Sequence, residues 1–511
     1  MGFTNLDRAG KINGADKVTI DGPSTGFGEV QVSEANVQGQ GDFVYGINNQ
    51  VFNTSSFAGA TVTTADGMCE LQSGTDPAGS ATVQFRRGLK YRAGQASLIR
   101  ATALFETPDA GNAQFLGAGT AECGYFVGYF GTSFGILHSE TGQREIRKLT
   151  VTSGASTGNV TVTLDGDSIV VPVVGGSKTT QTAYQLTLAD YSQVGNGGWL
   201  ASAISSSVYF IAARSNTTST GSYSVAGSSI VGSFSQTKAG ENQTNTFIPS
   251  ASFNIDRLDG SGETKMVLDP QKGNVFQVAY QYLGFGNATF SIEDPNTGKL
   301  VNFHKIKNAN NRTTPVLKNP NLSVLATSAN IGGTTSKTLK TVSMASFIEG
   351  NTAQLDPKFS KTFSFSGVNS PSDFVPLALL KANRVFKDQS CFGEIDLVRI
   401  AASNEVNNKT LEVGLFLNPV IGRDVNYEYI DEQNSIVSYA ALTPTGGSAN
   451  TITNAASLVP FYTLIVGSAS SKTEMLQSLN LVSSTGQELL IAIRTSASIT
   501  GRVNINWFEQ Q

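Results

Sequence analysis

Residues 274–306 read NVFQVAYQYLGFGNATFSIEDPNTGKLVNFHKI, and this stretch decides the fold class. Apolar side chains alternate with polar ones through NVFQVAYQY, through NATFSIE and again through KLVNFHKI. A period of two is the signature of strands that bury one face. Between the second and third runs stands Glu293-Asp294-Pro295-Asn296-Thr297-Gly298, with Pro and Gly where a tight turn accepts them. A β-hairpin is the expectation here.

The same grammar extends in both directions. Towards the N-terminus lie GEVQVSEANV (28–37), ATVQFRRG (81–88), ASLIRATALFE (96–106) and GYFVGYFGTSFGILH (124–138), separated by Gly, Asn, Ser and Asp. Towards the C-terminus follow KTFSFSGVN (361–369), FVPLALLKANRVF (374–386), GEIDLVRIAA (393–402), QELLIAIRTSAS (487–498) and GRVNINWFEQQ (501–511). One segment has a different texture. IRKLTVTSGASTGNVTVTLDGDSIVVPVVGG (146–176) places two alternating strands around Asp165-Gly166, and Ala183, Leu186 and Ala189 then recur at near-helical spacing.

The expected fold class is therefore all-β, with two jelly-roll-like β-sandwich domains and a small α+β insert. The division read from the chain is an extended N-terminal arm over 1–26, a first sandwich from 27–145 plus 251–338, the insert over 146–250 with its helix near 180–191, and a C-terminal sandwich over 339–511. Within this scheme the Asn- and Pro-rich segment 308–338 reads as edge strands grading into a linker.

Composition agrees with a β-protein and narrows the function. Charged residues are 14% of the 511, and glycines number 53. An average soluble protein carries roughly 25% charged residues. Lys and Arg total 35 against 39 Asp and Glu, a formal net charge of -4, which offers no electrostatic case for nucleic acid. Sparse charge also means little repulsion between neighbouring copies, which suits assembly. The start of the chain has no apolar stretch of secretory type, and no run of apolar residues is long enough to span a membrane as a helix. Cys69, Cys123 and Cys391 stand far apart, an odd number with neither disulfide-framework nor zinc spacing.

Catalytic chemistry finds little support. Gly131-Thr132-Ser133-Phe134-Gly135 matches the G-x-S-x-G pattern of a nucleophile elbow, but an elbow passes from strand to helix and here a further strand follows. His138 and His304, the chain's two histidines, lack a recognisable partner context. Asn254, Asp256, Asp259, Gly260 and Glu263, with Asp269 beyond, cluster without calcium-loop spacing, so an acidic turn is preferred and calcium at Asp256, Asp259 and Glu263 stays open. Pairs such as Glu293 or Asp294 with Glu394 or Asp396 meet the composition of a glycosidase site, as many pairs in any β-protein would. Tyr125, Tyr129, Phe130 and Phe134 read as core-filling aromatics before a sugar-stacking face, and Trp199 and Trp507 as anchors of the insert and the last sandwich. No catalytic, cofactor-binding or metal-binding residue is assigned, and no enzyme activity or cofactor is expected.

The stretch from Arg86 to His138, REIRKLTVT at 144–152 and the block 274–310 together resemble virion structural proteins of tailed phages and large aquatic double-stranded DNA viruses. The likeness spans about residues 85–345. GNVTVTLDGDSIVVPVV with TAYQL looks like a small module of phage tail and capsid-associated proteins, and VNINWFEQQ is similar to the last strand of viral sandwich domains. The resemblance implies a particle component, whether fibre, spike, capsid decoration or tail protein, located in the virion. It implies partners that are copies of the chain, a trimer among the options, and other capsid or tail proteins. The alternative is a receptor-binding protein that recognises a host-surface glycan, and a particle-borne glycan-degrading enzyme ranks below both. Neither nucleic acid nor membrane insertion is expected.

Overall fold

The computed structural model describes residues 35–89, 91–175, 178–350, 357–421, 425–444, 452, 454, 458–476 and 482–510. The arm expected over 1–26 lies outside them. The fold is the all-β class expected, a set of antiparallel sheets packed as sandwiches with a single α-helix among the described residues.

One sandwich pairs a six-stranded sheet with a seven-stranded one. The first runs in the order Ala35–Asp42, Ser343–Glu349, Ser97–Ala103, Asn274–Tyr280, Ala288–Glu293, Leu300–Ile306. The second runs Asn245–Pro249, Ser133–Ser139, Gly124–Phe130, Asn112–Gly119, Ser323–Asn330, Ser80–Phe85, Phe52–Phe57. Their inner faces share one core in which Phe105, Tyr125, Phe276, Tyr280, Phe290 and Phe303 are almost fully buried. Strands on both sides of residues 144–238 thus contribute to the same core, because antiparallel pairing joins segments regardless of the chain between them.

The hairpin read from 274–306 is present. Ala288–Glu293 pairs with Leu300–Ile306, and the turn is organised by Asp294, whose carboxylate accepts the Asn296 N–H at 3.0 Å and the Thr297 hydroxyl at 2.9 Å. The reading of 308–338 is corrected. Ser323–Asn330 is an interior strand, flanked by Asn112–Gly119 and Ser80–Phe85. Asparagine does not mark a linker there because its side chain replaces backbone partners: Asn330 donates to the Gly74 and Asp76 carbonyls and accepts from Asn112 at 3.0 Å.

A second sandwich follows. Lys358–Val368, Ile499–Gln510 and Glu394–Asn404 are neighbours in one sheet; Val437–Ala441, Val375–Ala382, Glu488–Thr495, Leu411–Leu417 and Tyr462–Val466 are successive neighbours in the other. Trp507 sits at the centre of its core with no exposed surface.

The segment between the two outer parts of the first sandwich has its own core, formed by Leu149, Val160, Val162, Leu164, Trp199 and Phe210 among others. A four-stranded sheet (Trp199–Ile204, Ser207–Ser215, Arg144–Ser153, Val231–Lys238) faces a three-stranded one (Asp167–Val173, Gly158–Leu164, Ser224–Ala226). The helix covers Thr179–Leu186 and stops short of Ala189, since the Thr187 hydroxyl and N–H both turn back to the Tyr184 carbonyl, at 2.7 and 2.9 Å. Tyr184 leaves this core and packs with Tyr427, Leu379 and Phe416 on the outer face of the C-terminal sandwich.

Candidate functional site

A polar cleft of about 520 Å³ opens between the two sheets of the insert. Its volume lies within the range of small-molecule sites. Four separate segments line it: Glu145 from the strand Arg144–Ser153, the hairpin turn with Asp165 and Asp167, the loop carrying Gly195, Asn196 and Trp199, and Ala212 with the run Asn216 to Thr220.

Local sequence explains each wall. Asp165 and Gly166 both adopt positive φ, 55° and 87°, which closes a two-residue hairpin between Leu164 and Asp167 with the twist strands require. The turn's carboxylates then hold the neighbouring loop. Asp165 Oδ2 accepts the Asn196 N–H and Asp167 Oδ2 accepts the Gly195 N–H, each at 3.1 Å. Asp165 Oδ1 also accepts the Ser219 hydroxyl, tying in the opposite wall. That wall is fixed at its back by a reciprocal pair in which the Thr217 N–H donates to Asn242 at 3.1 Å and Asn242 donates to the Thr217 hydroxyl at 2.9 Å.

Glu145 lies deepest. Its Oε2 accepts the Ser219 N–H at 2.9 Å, and its Oε1 accepts Arg147 Nε at 2.6 Å. The Arg147 guanidinium is simultaneously centred 3.6 Å over the Tyr223 ring, which immobilises it. Trp199 forms the floor at 3% exposure and meets Tyr223 edge-on at 6.0 Å.

The indole N–H of Trp199 has no acceptor among the described residues. Gly195 explains why it stays uncovered: a Cβ at this position, itself at φ 66°, would stand 2.9 Å from Nε1. The ring is buried but its N–H opens to the cleft, where water or a ligand can accept from it. The cleft thus offers one fixed aromatic donor, three fixed carboxylates, two side-chain amides and four hydroxyls.

The Asp165-Gly166 turn and Trp199 aside, the residues weighed for chemistry from sequence are placed elsewhere. Gly131 and Thr132 make the turn between Gly124–Phe130 and Ser133–Ser139, so the G-x-S-x-G segment is a hairpin. Ser133 and His138 are five positions apart on one strand, roughly 16 Å. His138 stacks on Tyr125 at 4.7 Å and approaches Glu140 at 3.5 Å; His304 accepts the Asn254 N–H at 3.2 Å, and burial pushes its imidazole down to about 4. Tyr125, Tyr129 and Phe134 belong to the core, and only Phe130 of the four is exposed, beside Phe247.

The acidic cluster turns inward on itself. Asp256 accepts the Leu258 N–H, the Thr264 N–H and the Thr264 hydroxyl; burial alone would raise its carboxyl, and these three donors outweigh it and hold the group below the usual range. Asp259 accepts from the Ser261 N–H and hydroxyl. Among the described residues no three His, Cys, Asp or Glu side chains group so as to hold a metal ion. Of the carboxylates weighed as glycosidase pairs, Asp294 organises its turn, while Glu394 accepts the Gly88 N–H at 2.7 Å and, with Asp396, lies 3.5 to 3.8 Å from Arg87.

No family model and no curated protein matches the chain. Among solved structures, 61% of the chain aligns with 99% of an endo-acting O-glycanase of the human gut microbiota at 10% identity and a TM-score of 0.29. Peanut lectin bound to a nine-residue peptide aligns over 62% of this chain and 98% of its own at 10% identity and a TM-score of 0.24. A Bacillus licheniformis β-glucanase aligns over 61% and 99% at 8% identity and a TM-score of 0.24. TM-scores this low carry no argument about the site or its activity.

Proposed function

We propose that this protein binds a glycan in the cleft at Trp199 and does so without catalysing its breakdown. The observation that carries the reading is the uncovered indole N–H on the floor of a cleft walled by carboxylates, amides and hydroxyls. Sugar hydroxyls donate and accept around the whole ring. They are matched by walls that alternate fixed acceptors with donors, and charge-assisted bonds to carboxylates are the stronger of these. Glu145, Asp165 and Asp167 each already accept from the chain itself, which fixes them as acceptors at set positions.

Calorimetric titration of the full chain with short oligosaccharides tests the reading. Binding is expected, and Trp199→Phe, which retains an aromatic ring and removes the N–H, weakens it about fivefold, the equivalent of one hydrogen bond of ~1 kcal/mol. Sugar binding that is indifferent to Trp199→Phe and to Asp165→Asn would move the site elsewhere.

The placement of this binder on a virus particle, assembled with copies of itself and other particle proteins, is supported by the resemblance over residues 85–345 and by the sparse charge of the chain. Antibody raised against the chain should label purified particles in electron micrographs. Recovery of the protein only from the soluble lysate would refute that placement.

A further inference from the structure

We infer that the cleft selects uncharged and amino sugars and rejects acidic ones, such as uronates, sialylated and sulfated glycans. The inference rests on the glycan-binding reading and adds the class of ligand. Three of the residues lining the cleft are carboxylates, and among the described residues that line it none is Lys, Arg or His.

The nearest cations already have partners in the chain, Arg144 donating from Nε to the Ala212 carbonyl at 2.6 Å. Arg147 is held between Glu145 Oε1, at 2.6 Å, and the Tyr223 ring, at 3.6 Å. Arg214 borders the neighbouring loop, where a Cβ at Gly197 would lie 3.4 Å from its Cδ. Its guanidinium nevertheless points away, donating to the Ser80 hydroxyl and the Ala78 carbonyl and lying 5.0 Å over the Phe57 ring.

Asp165 and Asp167 are the carboxylates a ligand meets first, since Asp167 is exposed and Asp165 half-buried, whereas Glu145 is 3% exposed and neutralised by Arg147. An anionic group on the ligand would sit a few ångströms from both with no compensating cation, and like charges at that range repel strongly near a low-dielectric wall. A hydroxyl or ammonium in the same place gains a charge-assisted hydrogen bond instead. The Trp199 N–H does not offset this repulsion: it is a single neutral donor on the cleft floor, beside Gly195.

The test is calorimetry of the full chain with neutral hexose and N-acetylhexosamine oligosaccharides, oligogalacturonate, sialyllactose and glucosamine oligomers, at neutral pH and low salt. The expected result is binding of the neutral and amino oligosaccharides with oligogalacturonate and sialyllactose at least tenfold weaker. The double variant Asp165→Asn, Asp167→Asn should close that gap. It preserves the turn, because asparagine tolerates positive φ and its carbonyl oxygen still accepts the Asn196 and Gly195 N–H groups.

Equal or tighter binding of the acidic oligosaccharides overturns the charge selection while leaving glycan binding in place. Discrimination that persists unchanged in the double variant overturns its assignment to Asp165 and Asp167. Absence of binding by every class overturns the glycan-binding reading, and this inference falls with it.

Discussion

Trp507→Ala is expected to lower the unfolding free energy of the C-terminal sandwich by about 3–5 kcal/mol, the cost of removing a large aromatic from a core that cannot collapse around the void. The indole is wholly buried, with Ile395, Leu397, Val503 and Ile505 in the same core, and Phe359 stacks near it at 6.4 Å. A second cost follows from its N–H, which donates to Glu509 Oε1 at 2.9 Å. Glu509 has no exposed surface and also accepts from the Ser435 hydroxyl at 2.6 Å and the Ile436 N–H at 2.7 Å, so the variant leaves a buried carboxylate with one donor fewer. Chemical denaturation followed by a probe in this sandwich checks the figure, and a loss below about 1 kcal/mol would show that Trp507 is not its keystone.

Raising the pH from 8 to 10 is expected to stabilise the contact between insert and C-terminal sandwich, and Lys381→Met is expected to abolish that gain. Lys381 is buried where the two meet. Its ammonium donates to the Ala203 carbonyl at 2.8 Å and lies 3.7 Å over the Tyr427 ring, while the Tyr427 carbonyl accepts the Ser205 N–H at 2.8 Å. Burial pushes its pKa down to about 8; Glu488, opposite it in the sheet, works against the shift and Arg384 adds to it.

The sign follows from linkage. With the folded pKa below the unfolded one, the unfolded chain binds more protons between about pH 8 and 10.5, so stability rises with pH across that window. Below pH 8 both states are charged and the full cost of burying the ammonium is present. The total change is on the order of 3 kcal/mol. Thermal unfolding of both proteins at pH 8, 9 and 10 reads it directly. An identical rise in Lys381→Met would assign the effect to other groups.

Alternation of apolar and polar side chains made the strands legible, because a half-buried strand has little freedom in which face it hides. Segment 274–306 shows this clearly, as does the Asp165-Gly166 turn, where both residues take the left-handed conformation the hairpin demands. The interior strand Ser323–Asn330 was hidden by the Asn- and Pro-rich texture around it, although Asn330 at its end satisfies backbone groups that such texture assigns to solvent. Trp199 reads from sequence as an anchor, and its burial agrees. Its uncovered N–H depends on the missing side chain of Gly195, and the cleft depends on residues 145, 165, 195 and 219 meeting through sheet pairing. No spacing along the chain encodes that convergence.

Ligand binding at Trp199 can be read through the chain's two tryptophans. An indole nitrogen–hydrogen correlation spectrum of the full protein contains one signal for Trp199 and one for Trp507, assigned with Trp199→Phe. Addition of a neutral oligosaccharide that binds should move the Trp199 signal in a saturable manner and leave that of Trp507, already bonded to Glu509, in place. A Trp199 signal that stays fixed while the sugar is bound would contradict the account.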